Sequence, residues 1–450
     1  MVNIDQRGFV NQRSVYLGGR EAAAFLGVKR ETLYAYASRG LVRSEPGERA
    51  RERRYHREDL ERLKVRHDAR SGHGAVAAGA MRWGEPVLES ALTAITPGGP
   101  VYRGFPAAML ARAETPFEAV AEMLWASEPP RAGATALEAA PRWKAKGFGV
   151  RVPALMALLP EESRPVVALA VAVPAMGAVD PERFEAIAEV ERARARVLIS
   201  RLAALTGIAI DRARAIAALE AGSVARTLLA SLGARGGEKA ERAVNRALVT
   251  SADHELNPST FAVRIAASTQ ADLYACVSAG LSTLSGPRHG GECDRVEALV
   301  HEAASPARAR STILERARRG ESVPGFGHSL YPQGDPRALV LIETALALGR
   351  RSAGLKTALA LVEAMGESGR GFPTLDLGLV AVASALALPP GSAAAIFAVG
   401  RTAGWIAHVL EQRSAGFLLR PRARYVGPET VTLGAPSSAP RSAGASLLRA

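Results

Sequence analysis

Apolar residues recur along most of this chain at the three- and four-residue spacing of helices. Segments such as "TPFEAVAEMLWAS", "PERFEAIAEVERARARVLISRLAAL" and "EKAERAVNRALVTSA" read as helix after helix. No convincing strand alternation and no internal repeat interrupts them. Heavy alanine use and few aromatic residues predict helices packed closely on one another, so the chain reads as mainly α. The most apolar stretch, "PVVALAVAVPAMGAV", is broken by Pro174 and falls short of the roughly 20 residues of a membrane span. It predicts a buried helix.

The pattern changes near the amino terminus. In "GGREAAAFLGVKRETLYAYASRGLVRS" it predicts a short helix, a turn at Gly27, a second helix from about Arg30 and a stop at Gly40. Ala23, Leu26, Val28, Leu33 and Leu41 are spaced to share a core. An arginine-dense stretch, "ERARERRYHREDLERLK", leads into a third helix. From Tyr16 to about Lys64 this resembles the winged helix-turn-helix of the MerR and excisionase-like families. The resemblance implies a second helix in the major groove, with Lys29, Arg30, Tyr34 and Tyr36 near bases or phosphates and Arg53 and Arg54 on the wing. A competing reading makes the same small domain a protein-docking module.

Charge supports that division. The 450-residue chain carries a net charge of +13, which asks for an anionic partner. Sixteen Lys and Arg stand against ten Asp and Glu in the first 70 residues. We expect a helix-turn-helix domain over 1–67, a small-residue linker over 68–80, a helical body over 81–434 and a disordered tail over 435–450. Two cysteines, Cys276 and Cys293, and eight scattered histidines suggest neither zinc nor a disulfide framework. With no secretory signal visible, a cytoplasmic protein without a membrane role is expected.

Four segments of the body hold polar residues that helix packing does not need. "ADHELNPSTFAVRIAAST" contains His254, and "GPRHGG" sets His289 among glycines at the start of a helix suggested by 293–303. "VPGFGHSLYPQGDPRA" contains His328 and Arg337, and "FPTLDLGLVAVASALAL" has Asp376 at the head of an apolar helix. An Asp there can be only a helix cap. Glycines beside His289 would let backbone turn sharply or approach a ligand closely.

Together these segments resemble the citrate synthase family. The resemblance runs from about Trp83 to Gly427, through "PVYRGFPAAML", "ADHELNPSTFA", "GPRHGG", "PGFGHSLYPQGDPRA", "GRTAGWIAHVLEQ" and "RPRARYVG" in order. It implies a two-domain helical body, with a small domain near 286–394, working as a homodimer or higher even oligomer. It implies Asp376 as the base that removes a methyl proton from acetyl-CoA, His289 as donor to the thioester oxygen, and His328 as the group polarising the ketone of oxaloacetate. It implies that His254, Arg337 and Arg401 bind oxaloacetate, and that Arg420 reaches it from the neighbouring subunit. It implies that Val323, Pro324, Gly325, Phe326 and Gly327 recognise the adenine of coenzyme A. Such residue types suit the chemistry: a thioester α-carbon is a weak acid needing help at oxygen, and arginines grip carboxylates by paired bonds.

Three positions depart from the family pattern. Cys293 stands where members usually have Asn, Arg288 where they have Leu, and Ala271 where many have a Ser that supports the histidine of "GPRHGG". Loss of that serine is expected to loosen His289, and Arg288 to disfavour its protonation. The expected function is condensation of acetyl-CoA with oxaloacetate, with no permanently bound cofactor or metal. The alternatives are 2-methylcitrate synthesis from propionyl-CoA, or a DNA-binding metabolite sensor.

Overall fold

The computed structural model describes residues 16–38, 41–47, 53–57, 59–60, 88–128, 137, 143–160, 163–234, 236–349, 352–369, 371–421 and 426–427. The expected linker over 68–80, the stop at Gly40 and the tail over 435–450 lie outside them.

In the amino-terminal unit the helices Gly19–Leu26 and Arg30–Ser38 are joined at Gly27, whose φ of 66° closes the first helix in the left-handed conformation. A three-stranded antiparallel sheet accompanies them. Arg53–His56 lies in the middle, with Tyr16–Gly18 on one side and Ser44–Pro46 on the other. The last two strands form the expected wing. Ala22, Ala23, Leu26, Leu33, Val42, Tyr55 and Leu60 make the core. Leu41, expected inside, is 43% exposed, and its neighbour Val42 takes the buried place. The backbone bond from Leu41 N to Tyr36 O closes the turn there, which points the next residue inward.

The body is built from helices, with one ribbon of three short strands at 93–106. Strands of two to four residues are too short to show a period in sequence. The helix Ser392–Ala415 runs through the centre, buried along most of its length, and packs on Glu238–Ser251, Pro258–Ser268 and Leu273–Leu284. Alone among the described helices it is long and apolar enough to cross a membrane, yet it is 94% buried inside the body. Its small residues allow close approach: a Cβ on Gly404 would stand 2.4 Å from the Ala252 oxygen. That contact sets Arg401 beside the segment carrying His254.

The helices Gly291–Ala303, Ala309–Arg318, Pro336–Ala347, Ala353–Glu367 and Leu375–Ala385 pack largely on one another, and the last also meets the central helix. "PVVALAVAVPAMGAV" does form one helix, Pro165–Val179, with Pro174 inside it. It is only half-buried, however. Ala168, Leu169, Ala172, Val173 and Met176 face the core, while Val167 and Val179 are 42% and 60% exposed.

Candidate active site

Two loops and three helix ends converge where the body's helices meet. His328 follows a loop that pairs with the segment before Asp376: Gly327 N donates to Phe372 O, and Thr374 N donates to Gly325 O, each at 2.9 Å. The two chemistry-bearing segments are therefore fastened together. Leu330 N donates to His328 Nδ1 at 3.2 Å, so this nitrogen accepts and the proton of the neutral ring sits on Nε2. Burial and then Arg337 lower the His328 pKa, which keeps the ring neutral. His254 is buried with its Nε2 2.8 Å from the Tyr331 hydroxyl, and its ring centre lies 5.6 Å from that of His328. Burial, with Arg337 and Arg401 nearby, holds His254 well below the usual histidine range.

Arg337 is buried at the start of the helix Pro336–Ala347. Its Nε and Nη2 donate to the two oxygens of Asp335 at 3.0 and 2.8 Å. Asp335 caps the same helix by accepting from Arg337 N, and it also accepts from Leu375 N. One carboxylate thus ties an arginine to the helix that carries Asp376. Burial pushes the Asp335 carboxyl up, but Arg337 holds it below the ordinary range. Arg401, equally buried, donates from Nε to Ser251 O at 2.8 Å and lies over the Phe397 ring.

Asp376 is not the cap of its helix, because Thr374 occupies that position. Its carboxyl lies in the first turn, accepting from Cys293 Sγ at 3.2 Å and from Thr374 Oγ1 at 3.3 Å. Burial is the main force on it, and the group is pushed up to about 6. His289 sits just before the helix Gly291–Ala303, which starts two residues earlier than expected. The glycines there serve close packing rather than left-handed backbone. A Cβ on Gly290 would fall 2.4 Å from Leu284, and its φ is −69°.

Burial, then the charge of Arg401, brings His289 down to about 4. The expectation for Arg288 is thereby corrected: its side chain is exposed, and the cation that acts on His289 is Arg401. The Ala271 expectation is corrected as well. The ring is held by Ser259, whose Oγ is 2.7 Å from His289 Nε2, while Trp405 Nε1 donates to the same oxygen at 3.2 Å.

His254, His289, His328, Arg337, Asp376 and Arg401 therefore share one cluster, linked by ring contacts and by mutual electrostatic influence, with His254, Arg337 and Arg401 buried and His289, His328 and Asp376 half-buried. The loop Val323, Pro324, Gly325, Phe326 and Gly327 borders it, and Glu292 Oε1 accepts from Gly325 N at 2.8 Å. Arg420 stands apart, exposed beyond the central helix, and no hydrogen bond or ion pair joins it to the cluster among the described residues. In the small domain Lys29, Arg30 and Arg53 are exposed and Tyr34 is 49% exposed. Tyr36 instead packs partly on the small core, and Arg54 lies over the Tyr16 ring.

A family model described as the citrate synthase C-terminal domain matches residues 80–422. The chain belongs to the citrate synthase family. A second model, a helix-turn-helix domain, matches residues 16–66. The 2-methylcitrate synthase of Mycobacterium tuberculosis H37Rv is 31% identical over 335 residues, 73% of this chain and 84% of that protein. Citrate synthase 2 of Bacillus subtilis strain 168 is 35% identical over 190 residues, 42% of this chain and 51% of that protein. Among solved structures, citrate synthase of Thermoplasma acidophilum in ternary complex with carboxymethyl coenzyme A and oxaloacetate aligns with a TM-score of 0.65. Its identity is 26%, over 77% of this chain and 96% of that one.

Within this citrate synthase-family body, sequence reasoning missed the groups that hold the cluster in place: Ser259, Asp335, Tyr331 and the Cys293 thiol. Asp335 had a readable signal, since an Asp before Pro at a helix start is a strong cap. Ser259 had none, because its partner lies 30 residues away, and Cys293 stood out as a departure from the family pattern while its partner, 83 residues on, did not show.

Proposed function

We propose that the chain condenses acetyl-CoA with oxaloacetate and water, giving citrate and free coenzyme A. The observation that carries this reading is a half-buried carboxyl at Asp376 raised to about 6, in one cluster with two neutral, half-buried histidines and two buried arginines. A base poised near working pH takes the methyl proton as the enol forms, and the neutral His289 ring donates to the thioester oxygen. The new carbon–carbon bond forms at the ketone of oxaloacetate, whose oxygen takes the proton from His328 Nε2. Water then cleaves the citryl thioester and the thiol leaves. Arg337 and Arg401 would grip the substrate carboxylates, and 323–327 the adenine of coenzyme A.

The name of the M. tuberculosis relative favours a second reading, 2-methylcitrate synthesis from propionyl-CoA. One methylene is worth only about 1–3 kcal/mol of discrimination. Comparing kcat/KM for acetyl-CoA and propionyl-CoA with oxaloacetate, with the product identified by mass, decides between them. A ratio favouring propionyl-CoA overturns our choice.

We further propose a cytoplasmic homodimer. The exposed apolar face of the helix Pro165–Val179, continued by Phe184 and Ile187 at 68% and 60% exposure, supports a self-association surface. Arg420, exposed and apart from its own cluster, suits a role in the partner's site. For the amino-terminal domain we propose duplex DNA binding through Lys29, Arg30, Tyr34 and Arg53, supported by the helix-turn-helix match and the exposure of these residues.

A further inference from the structure

Cys293, one of the three departures from the family pattern, is the residue that touches the proposed base. It lies in the first turn of the helix Gly291–Ala303, 1% exposed, and its thiol donates to Asp376 Oδ1 at 3.2 Å. Thr374 Oγ1, at 3.3 Å, meets the other oxygen. The remaining charges around this carboxyl come from several elements. Glu292 lies on the same turn as Cys293, paired with Arg295 at 2.9 Å. Arg337 and its partner Asp335 come from the start of the helix Pro336–Ala347, and Arg401 from the central helix. None of these charged groups donates to Oδ1 among the bonds of the described residues.

We propose that Cys293 is a positioning residue for the condensation, its S–H orienting the Asp376 carboxylate and stabilising the ionised form. This rests on the reading of Asp376 as the base. A thiol is a weak donor, so it offsets only part of what burial and Glu292 do to the carboxyl, which stays at about 6. Burial, then the neighbouring Asp376, holds the thiol itself far above its ordinary range. The donor therefore persists at every working pH. Because a donor favours the ionised carboxylate, removing it raises the base's pKa and moves the acid limb of the rate profile to higher pH. A stronger amide donor moves it the other way.

The test uses full-length wild type, Cys293→Ala, Cys293→Ser and Cys293→Asn. Ala should shift the acid limb of kcat upward by about one pH unit, with KM for oxaloacetate little changed. Ser should largely restore the wild-type profile, and Asn should shift it below wild type. A second readout needs no turnover: the infrared S–H stretching band that vanishes in Cys293→Ser. In wild type it should move as Asp376 titrates, and in Asp376→Asn it should ignore pH. Should Cys293→Ala fail to fold, the Asn variant and the infrared band still decide. Identical acid limbs in all folded variants, or a band insensitive to pH in wild type, overturn the proposal. A titrating band in a protein without turnover upholds the thiol–carboxylate coupling and overturns only the proposed reaction.

Discussion

A base kept ready inside a fold destabilises that fold, and Asp376 lets the effect be measured. Its pKa rises from 3.8 to about 6, chiefly because burial disfavours the charged form. At about 1.4 kcal/mol per unit, ionised Asp376 lowers stability at neutral pH by on the order of 3 kcal/mol. For a carboxyl raised in the folded state, its stabilising contribution is complete below the unfolded value and is lost as pH rises through the folded one. The loss therefore falls between about pH 4 and pH 6. Asp376→Asn has nearly the same shape and keeps an oxygen acceptor for Cys293, but it carries no charge. The variant should match wild type near pH 4 and exceed it by up to about 3 kcal/mol above pH 7. Denaturant midpoints and slopes for both proteins across this range provide the assay. A stability difference that does not change with pH, or a variant weaker than wild type at neutral pH, refutes the reasoning.

Other consequences follow from the same geometry. Asp335→Ala leaves buried Arg337 without its partner and should cost about 3–5 kcal/mol in a denaturation midpoint while raising KM for oxaloacetate; wild-type values for both would show that the pair is incidental. Mixing Arg420→Ala subunits with Asp376→Asn subunits, each inactive alone, should restore some turnover, because one hybrid site holds both native residues. If the subunits exchange and the mixture stays inactive, Arg420 does not act in trans. Deleting residues 1–70 should leave turnover largely unchanged and abolish duplex DNA binding, which in the intact protein should weaken steeply with salt. Salt-insensitive or absent binding by the intact protein favours a protein-docking role for the small domain.

How far this was legible in the sequence depended on how local each cause was. Gly27 and the flanking apolar spacing foretold two helices and their turn, because one left-handed residue and one apolar stripe suffice. Leu41 and Val42 were exchanged in that reading, since a turn decides which of two adjacent apolar residues points inward. The helix Pro165–Val179 was taken as wholly buried because its apolar residues surround it, and composition alone does not say which face lacks a partner within the subunit. The cluster residues were visible through separated motifs that resemble a family, whereas the bonds that tune them were not. His289 owes its neutrality to burial and Arg401, and Asp376 owes a hydrogen bond to Cys293. Both relations cross 80 or more residues and exist only once the helices have packed.

The central claim is that Asp376 takes the proton from the acyl methyl group. Release of free thiol from acetyl-CoA in the presence of oxaloacetate, compared between wild type and Asp376→Asn, tests it most directly. Wild type should release thiol at a rate that rises with pH through about 6, and the variant, still folded and still binding oxaloacetate, should be slower by roughly 10²-fold or more. A folded Asp376→Asn protein that turns over at near the wild-type rate would contradict the account.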